Sequence, residues 1–433
     1  MNKIYSHENS EKNISQEHIK YSNHPLRWMH VDMNSYFATL LQQETPYLRG
    51  KPVVVVKDIG RTCVIACSKE AKRIGVKTGM SLADAKKRTQ NLYVVPVNFP
   101  MFLDCTKKLY KMWKELAPNP EIFSMDEVFL DMNTIPTRVK YKSEKELGFF
   151  IQQNVKRTLG EWVTCNVGIG PTRLLAKILG EISEKGSVCS ILWTDRLPLL
   201  ADVLFVDVCG VGRALAKKLA CFGVYTPLQI PFLGKETLIS YFGSFWAEEL
   251  LKISNGEDPS FLQRILAEPK ERSVGRTTTG FSLCSDRQEI LRVFFALCCE
   301  VMKKSRALHL YGRTVFFFMM GRTQSAHHRI TCTSAITSTK TLFEFAQQWV
   351  QSLHAIFPVI RWGVYLSNTQ KDLPPSLFPS QDEKHEQIER VLDQLQSKYG
   401  SRVLRYAIDF SPTLPDEEVT GFFGEKRIHL QDV

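Results

Sequence analysis

The sequence predicts a multidomain α+β protein built around two β-α-β-β-α-β units. Three observations carry that expectation. The chain has 433 residues, too many for one ordinary core, so two to four domains are expected. Short apolar runs of strand type alternate with segments of helical period. The same order of elements also recurs in the two halves of the chain.

The first strand is Trp28 to Asp32, which ends in an acid. A helix-like segment follows from Ser35 to Gln43, then the apolar run Lys51 to Val56 and a shorter one, Cys63 to Ala66. Two short basic helices, Lys69 to Ile74 and Ser81 to Arg88, flank a turn at Gly75 and Gly79. The next helix spans Phe102 to Leu116 and stops before Pro118. Glu121 to Ser124 and Glu127 to Asp131 are extended segments around Met125-Asp126, which predicts a hairpin. A helix from Glu144 to Leu159 precedes the strand Thr164 to Ile169, and another begins after Pro171. With Lys51 to Asn98 set aside as an insertion, the order is that of a ferredoxin-like sheet. Such a sheet joins the ends of its central strands, so Asp32 is expected to meet Asp126 and Glu127.

Leu197 to Ile253 reads as small helices and turns. The second unit has expected strands Arg272 to Phe281, Arg313 to Met320, Arg329 to Ile336 and Ile360 to Leu366. Its helices are Arg287 to Leu308 and Thr341 to Ile356. Beyond lies a charged helix with an apolar stripe of Ile388, Val391, Leu392 and Leu395.

Composition narrows the class of function. No apolar run spans a bilayer, and the polar stretch Met1 to Asn23 has no secretory core, so it reads as a mobile tail. The formal charge is +11, which suits a polyanionic partner and equally a merely soluble basic protein. Eleven cysteines lack zinc-ligand spacing and read as thiols of a reducing cytoplasm.

The chemistry centres on Val31-Asp32-Met33-Asn34-Ser35-Tyr36-Phe37 and on Phe123-Ser124-Met125-Asp126-Glu127-Val128-Phe129. An acid at a strand end among apolar residues is costly unless it is hydrated or binds a cation. Hard carboxylate oxygens suit Mg²⁺ together with substrate phosphates. Either segment alone fits acids that cap helices or face solvent at turns. The two together, on one sheet plan, favour metal binding.

These two segments resemble the acidic motifs of the Y-family DNA polymerases, the group of bacterial DNA polymerase IV and the UmuC type. The resemblance runs from about Trp28 to at least Leu366, and Glu70 to Lys77 is nearer the UmuC type. It implies a right-hand polymerase with a ferredoxin-like palm, small fingers, a helical thumb and a β-α-β-β-α-β little finger. It also implies low-fidelity, damage-bypassing extension of a primer on template DNA from deoxynucleoside triphosphates, without proofreading, by a cytoplasmic monomer. Asp32 and Asp126 would bridge two Mg²⁺ ions, Glu127 would bind the one nearest the primer, and the Met33 carbonyl would complete the other. Phe37 matches the steric gate against ribonucleotides, and Tyr36 would line the nucleotide pocket. Lys177 matches a triphosphate-binding lysine; Lys69 and Lys72 stand where many relatives carry Tyr and Arg. Asn34 departs from the usual DNA polymerase IV motif, which has a second Asp there.

Gly210 and Gly212 read as a helix–hairpin–helix turn that admits a DNA phosphate. Arg276, Arg313, Arg322 and Arg329 of the second unit suit contacts that hold DNA without reading sequence. Ser376, Leu377 and Phe378 occupy the place of a sliding-clamp peptide whose leading Gln is absent. The expected boundaries are tail 1–24, palm 25–34 and 99–187, fingers 35–98, thumb 188–259, little finger 265–368 and extension 369–433. Two rival readings are a catalytically silent DNA-binding accessory protein and a nucleotidyl cyclase on a related palm. The first has no use for the acids, and the second has none for a thumb-like hairpin or a basic second unit.

Overall fold

The computed structural model describes residues 27–57, 62–136, 140–263, 273–371 and 381–399, with 404 and 406. The tail expected at 1–24 and the peptide Ser376 to Phe378 lie outside the described residues. The chain divides into two compact units, Met1–Ala267 and Glu268–Val433.

In chain order the first unit contains β1 (Trp28–Met33), α1 (Tyr36–Glu44), β2 (Val53–Val56), β3 (Val64–Cys67), α2 (Lys69–Arg73), α3 (Leu82–Arg88), β4 (Tyr93–Pro96) and α4 (Phe99–Leu116). It continues with β5 (Glu121–Ile122), β6 (Glu127–Asp131), α5 (Glu144–Leu159), β7 (Cys165–Gly170), α6 (Arg173–Ile182) and β8 (Val188–Ser190). Four helices close it: α7 (Arg196–Asp202), α8 (Arg213–Ala220), α9 (Lys235–Asn255) and α10 (Ser260–Gln263).

The main sheet has the order β5-β6-β1-β7-β8. β1 pairs antiparallel with both β6 and β7. This is the expected ferredoxin-like order, extended by β8, which runs parallel to β7. The insertion after α1 forms its own small sheet, β3-β2-β4, whose valines and Cys67 pack on Ala71, Leu82 and Ala85. Ser68, Ser81, Ser143 and Thr172 each accept a backbone N–H at a helix start, which explains where α2, α3, α5 and α6 begin. Pro171 therefore precedes the cap of α6 rather than filling its first turn.

α6 presses close to β7 because Gly168 lacks a side chain. A Cβ there would lie 2.1 Å from the Ala176 carbonyl oxygen and 2.6 Å from the Gly180 nitrogen. At the start of α6, Arg173 grips the buried Glu121 of β5 through two hydrogen bonds of 2.6 Å. It also reaches Asp258 at 3.2 Å and lies 3.6 Å above the Trp28 ring.

The second unit contains β9 (Ser273–Cys284), α11 (Arg287–Ala307), β10 (Leu310–Met320), β11 (Ser325–Thr331), α12 (Thr339–Ser352), β12 (Val359–Lys371) and α13 (Gln381–Tyr399). The linear β-α-β-β-α-β order is as expected, but the sheet order is β11-β10-β12-β9. Its central strands are thus the second and fourth, whereas those of the first unit are the first and third. The third strand is Ser325–Thr331, not Arg329 to Ile336. It makes a short hairpin with β10, closed where the Gly321 N–H bonds Gln324 O at 2.8 Å, and its polar alternation concealed it. α12 ends at Ser352, before the expected Ile356.

α13 also departs from its expected polarity. Ile388 and Val391 are 63% and 55% exposed, while Glu389 is buried. The helix is held by its charges: Arg306 binds Glu389 and also Asp393, the latter at 2.7 Å, and Glu389 accepts the Thr339 N–H at 2.9 Å. A buried ion-pair network outweighs the apolar stripe at this position.

Breaking a buried pair from one side leaves an uncompensated charge. Arg173→Met should therefore cost the first unit about 3–5 kcal/mol, read as a lower urea midpoint. Adding Glu121→Gln to that variant should restore part of the loss. An unchanged midpoint in Arg173→Met would show that this pair does not anchor α6.

Candidate active site

The site lies where β1 runs between β6 and β7. Backbone register sets Asp32 opposite Glu127 on one side and Asn166 on the other. The Met33 N–H then donates to Asp126 O at 3.0 Å, which fixes the turn of the β5–β6 hairpin against the end of β1. Directly paired residues of antiparallel strands project to the same face, so these acids are neighbours by construction.

Their charges crowd one another. Burial pushes the Asp32 carboxyl up to about 7, helped by the negative charges of Glu127 and Asp126. Asp126 is also raised, chiefly by burial, against the opposing hydrogen bond that Ser124 Oγ donates to it. Glu127 behaves differently. Burial alone would raise it, but contact with His30 and the Lys177 ammonium hold it down at about 2. Lys177 Nζ stands 2.8 Å from Glu127 and 2.8 Å from Glu181, and only 4% of its side chain is exposed. His30 lies 3.7 Å from Glu127, fully buried, and desolvation lowers it to about 4, so its ring is neutral at pH 7.

Two further observations bear on a cation. Asn34 donates to Thr164 Oγ1 at 3.2 Å, which leaves its own Oδ1 buried without a donor. Asp32 and Asp126 are crowded carboxylates, and the buried Lys177 ammonium that acts on both is paired with Glu127 and Glu181. Hard-oxygen chemistry fits that donor set. Among the described residues, no three acids, histidines or cysteines already converge as a closed cage. An ion that keeps most of its water and shares substrate phosphates needs no such cage.

The other expected residues separate into groups. Phe37 is half-buried in the first turn of α1 and stacks on Phe102 at 4.4 Å. Tyr36 is buried, with its hydroxyl 3.0 Å from Thr106 Oγ1, so it ties α1 to α4. The bulk next to a motif residue here serves the core. Lys177 is likewise enclosed by carboxylates rather than presented outward. Lys69 sits 4.0 Å from Glu70 and 5.1 Å above the Trp162 ring, Lys72 is exposed, and no contact ties either to the acids.

Lys185 is the cation that sequence reading missed. It is exposed and makes no ion pair among the described residues, yet its charge is felt by both Asp32 and His30. Its signal was slight: a lysine before Gly186, in the short loop between α6 and β8.

Gly210 and Gly212 are exposed in the turn before α8, with φ +83° at Gly210 and Gly212 as the helix cap. In the second unit Arg322 and Arg329 are exposed. Arg276 alternates in phase with Val274, on the face the helices cover, and binds Glu300 of α11. That pair ties it to α11 within the unit. Arg313 is half-buried, in phase with Val315 and Phe317 of the core.

Comparison with known proteins agrees with this arrangement. The model of the impB/mucB/samB family matches residues 31–181, and the model of that family's C-terminal domain matches residues 271–389. Together they cover more than half of the chain. DNA polymerase IV 1 of Bacillus subtilis (strain 168) is 27% identical over 393 residues, 87% of this chain and 91% of that protein. DNA polymerase IV of Alkaliphilus oremlandii (strain OhILAs) is 26% identical over 387 residues, 86% of this chain and 96% of that protein. DNA polymerase IV of Streptococcus pyogenes serotype M1 is 29% identical over 221 residues, 50% of this chain and 60% of that protein. A solved Y-family DNA polymerase chimera shares the fold, with a TM-score of 0.67 at 22% identity, covering 80% of this chain and all of that one. The right-hand architecture expected from the sequence is thereby established, and the chain belongs to the impB/mucB/samB family of Y-family DNA polymerases.

Proposed function

We propose that Asp32, Asp126 and Glu127 hold two magnesium ions at which this chain extends a DNA primer. As a Y-family member the chain is a DNA-directed DNA polymerase of the translesion kind, an enzyme class that works with divalent metal ions. The observation that carries the site assignment is the register that sets Asp32 opposite Glu127 while the Met33 N–H bonds Asp126 O. Ions bound there would lower the pKa of the primer hydroxyl and neutralise the triphosphate.

The chain's own residues do the positioning. Lys177 and His30 fix Glu127 in its ionised form before any ligand arrives. Ser124 orients Asp126, and the carbonyls of Met33 and Asn34 offer further oxygens. Lys185, exposed beside the acids, is suited to receive a triphosphate as a point charge. Phe37, braced flat by Phe102, excludes a 2′-hydroxyl and so selects deoxynucleotides. Gly210, Gly212, Arg322 and Arg329 would meet the DNA backbone. The domain boundaries follow the same scheme: palm 25–34 and 99–187, fingers 35–98, thumb 188–259 and little finger 265–368. A silent accessory protein would have no need to keep two carboxylates in such mutual repulsion.

Primer extension by purified protein with Mg²⁺ tests the reading. Asp126→Ala should lower the rate by roughly 10²–10³-fold or more. A variant that extends primers as fast as the parent would remove Asp126 from the site.

Phe37→Ala should narrow the preference for deoxynucleotides over ribonucleotides by about tenfold or more, about 1.4 kcal/mol of discrimination. Single-nucleotide incorporation with each sugar measures this, and unchanged discrimination would assign Phe37 to the core alone.

The raised Asp32 carboxyl also predicts a pH dependence in metal-free protein. A carboxyl held up at about 7 when folded, against 3.8 ordinarily, stabilises the fold fully below pH 4. That contribution fades as pH rises through 7, up to an order of a few kcal/mol. In EDTA, Asp32→Asn should match the parent near pH 4 and be the more stable protein near pH 8. A stability difference that stays flat across that range would contradict the crowding of the acids.

A further inference from the structure

The loop Ser183 to Ser187 carries Lys185 from the end of α6 to the start of β8. Of the two lysines whose charge reaches Asp32, Lys177 is already paired with two carboxylates. Lys185 is exposed and has no such pair among the described residues. A lysine on a free loop would spread its ammonium over a wide volume, because its four-carbon stem is flexible. Here the backbone under Lys185 is held from three sides.

The first hold is Asn166. This residue is fully buried on β7, where register sets it opposite Asp32 and on the same face. Its Nδ2 donates to Gly180 O at 2.7 Å, in the last turn of α6, and its Oδ1 accepts the Gly186 N–H at 2.7 Å. A longer contact of 3.4 Å joins Nδ2 to Ser183 O. One amide thus bridges both ends of the loop. The second hold is Gln152 of α5, whose Nε2 donates to Gly186 O and to Cys165 O, both at 2.9 Å. The third is the turn itself. The Ser187 N–H bonds Glu184 O at 3.1 Å, and Gly186 supplies the positive φ, +86°, at the position after Lys185.

Asn166 breaks the local pattern. Asparagine is depleted in strands, and its neighbours Cys165, Val167 and Ile169 are buried and apolar. An amide buried between sheet and helix costs stability unless both its ends are satisfied. Both are, and each of these hydrogen bonds goes to the end of α6 or to the loop. An apolar residue of similar size would fill the same space and leave the loop unheld. A residue that violates strand preference in order to fix one loop marks a functional constraint.

We propose that Asn166, assisted by Gln152, is a positioning residue for nucleotide binding. It holds the backbone beneath Lys185 so that the ammonium meets the incoming triphosphate beside Asp32. The proposal rests on the reading of Lys185 and the three acids as a polymerase site, and it adds the residue that sets where the cation stands.

The test uses the full-length protein with primer–template DNA and Mg²⁺. Deoxynucleotide affinity is measured on a primer ended by a dideoxynucleotide, where no bond can form, and incorporation on an ordinary primer gives kcat and KM separately. Lys185→Ala should weaken nucleotide binding about tenfold or more, the scale of a hydrogen bond to a charged group. Asn166→Ala should weaken it by about tenfold and leave kcat within about threefold, because the loss is in binding and not in bond formation. Gln152→Ala removes one neutral hold and should cost about threefold in affinity. Its half-buried position keeps the test open where Asn166→Ala fails to fold. In a Lys185→Ala background neither substitution should weaken binding further, since both act through that lysine. Equal losses in both backgrounds would mark a merely structural role and overturn the proposal, as would unchanged affinity in both single variants. A parent that binds nucleotide on the blocked primer yet extends no ordinary primer would sink the catalytic reading and leave the brace on Lys185 standing.

Discussion

Everything in the first unit depends on one strand having two antiparallel neighbours. β1 is six residues long; five of them pair with β6 and all six with β7. Because side chains alternate, a slip of one residue would send Asp32 into the core and Val31 to the site. The apolar partners Val31, Met29, Val128, Leu130 and Val167, all buried, forbid that slip. The chemistry is therefore held by packing rather than by any contact among the acids, which repel.

That repulsion is tolerated because it is divided unequally. Glu127 receives the Lys177 ammonium and stays ionised, while Asp32 and Asp126 are left raised. Two carboxyls that resist charging and one that cannot lose it form a cluster biased towards added positive charge. Lys177 owes its place to the glycine contact between β7 and α6, since Gly168 lets the helix approach within reach of the sheet. A backbone constraint thus sets an electrostatic one.

Much of this was legible in the sequence, and the limits are physical. Asp32, Asp126 and Glu127 stood out because acids inside apolar strands violate the ordinary pattern. The hairpin and the ferredoxin-like order followed from strand and helix periods. What alternation could not show was which side chain faces which neighbour. Tyr36 sits beside a motif residue yet points to Thr106, and Arg276 stands next to Thr277 on β9 yet points to Glu300. Ile388 and Val391 gave α13 an apolar stripe, but the Arg306 pairs decided which side docks. Lys185 left almost no local signal, because its place depends on α6 and β8 coming together in space.

The two units make the same point from opposite directions. Both read β-α-β-β-α-β along the chain, yet their sheets are ordered differently. In the first, β1 carries Asp32 next to its last residue and β6 begins with Glu127, so the sheet gathers its acids at one end of its central strands. In the second, the central strands β10 and β12 carry Phe316, Phe318 and Tyr365 along their length, on the face opposite Val315, Phe317 and Val364 of the core. A linear pattern of elements fixes neither outcome. What decides is which strands become central, because only a central strand has a partner on each side to hold an acid or a ring in place.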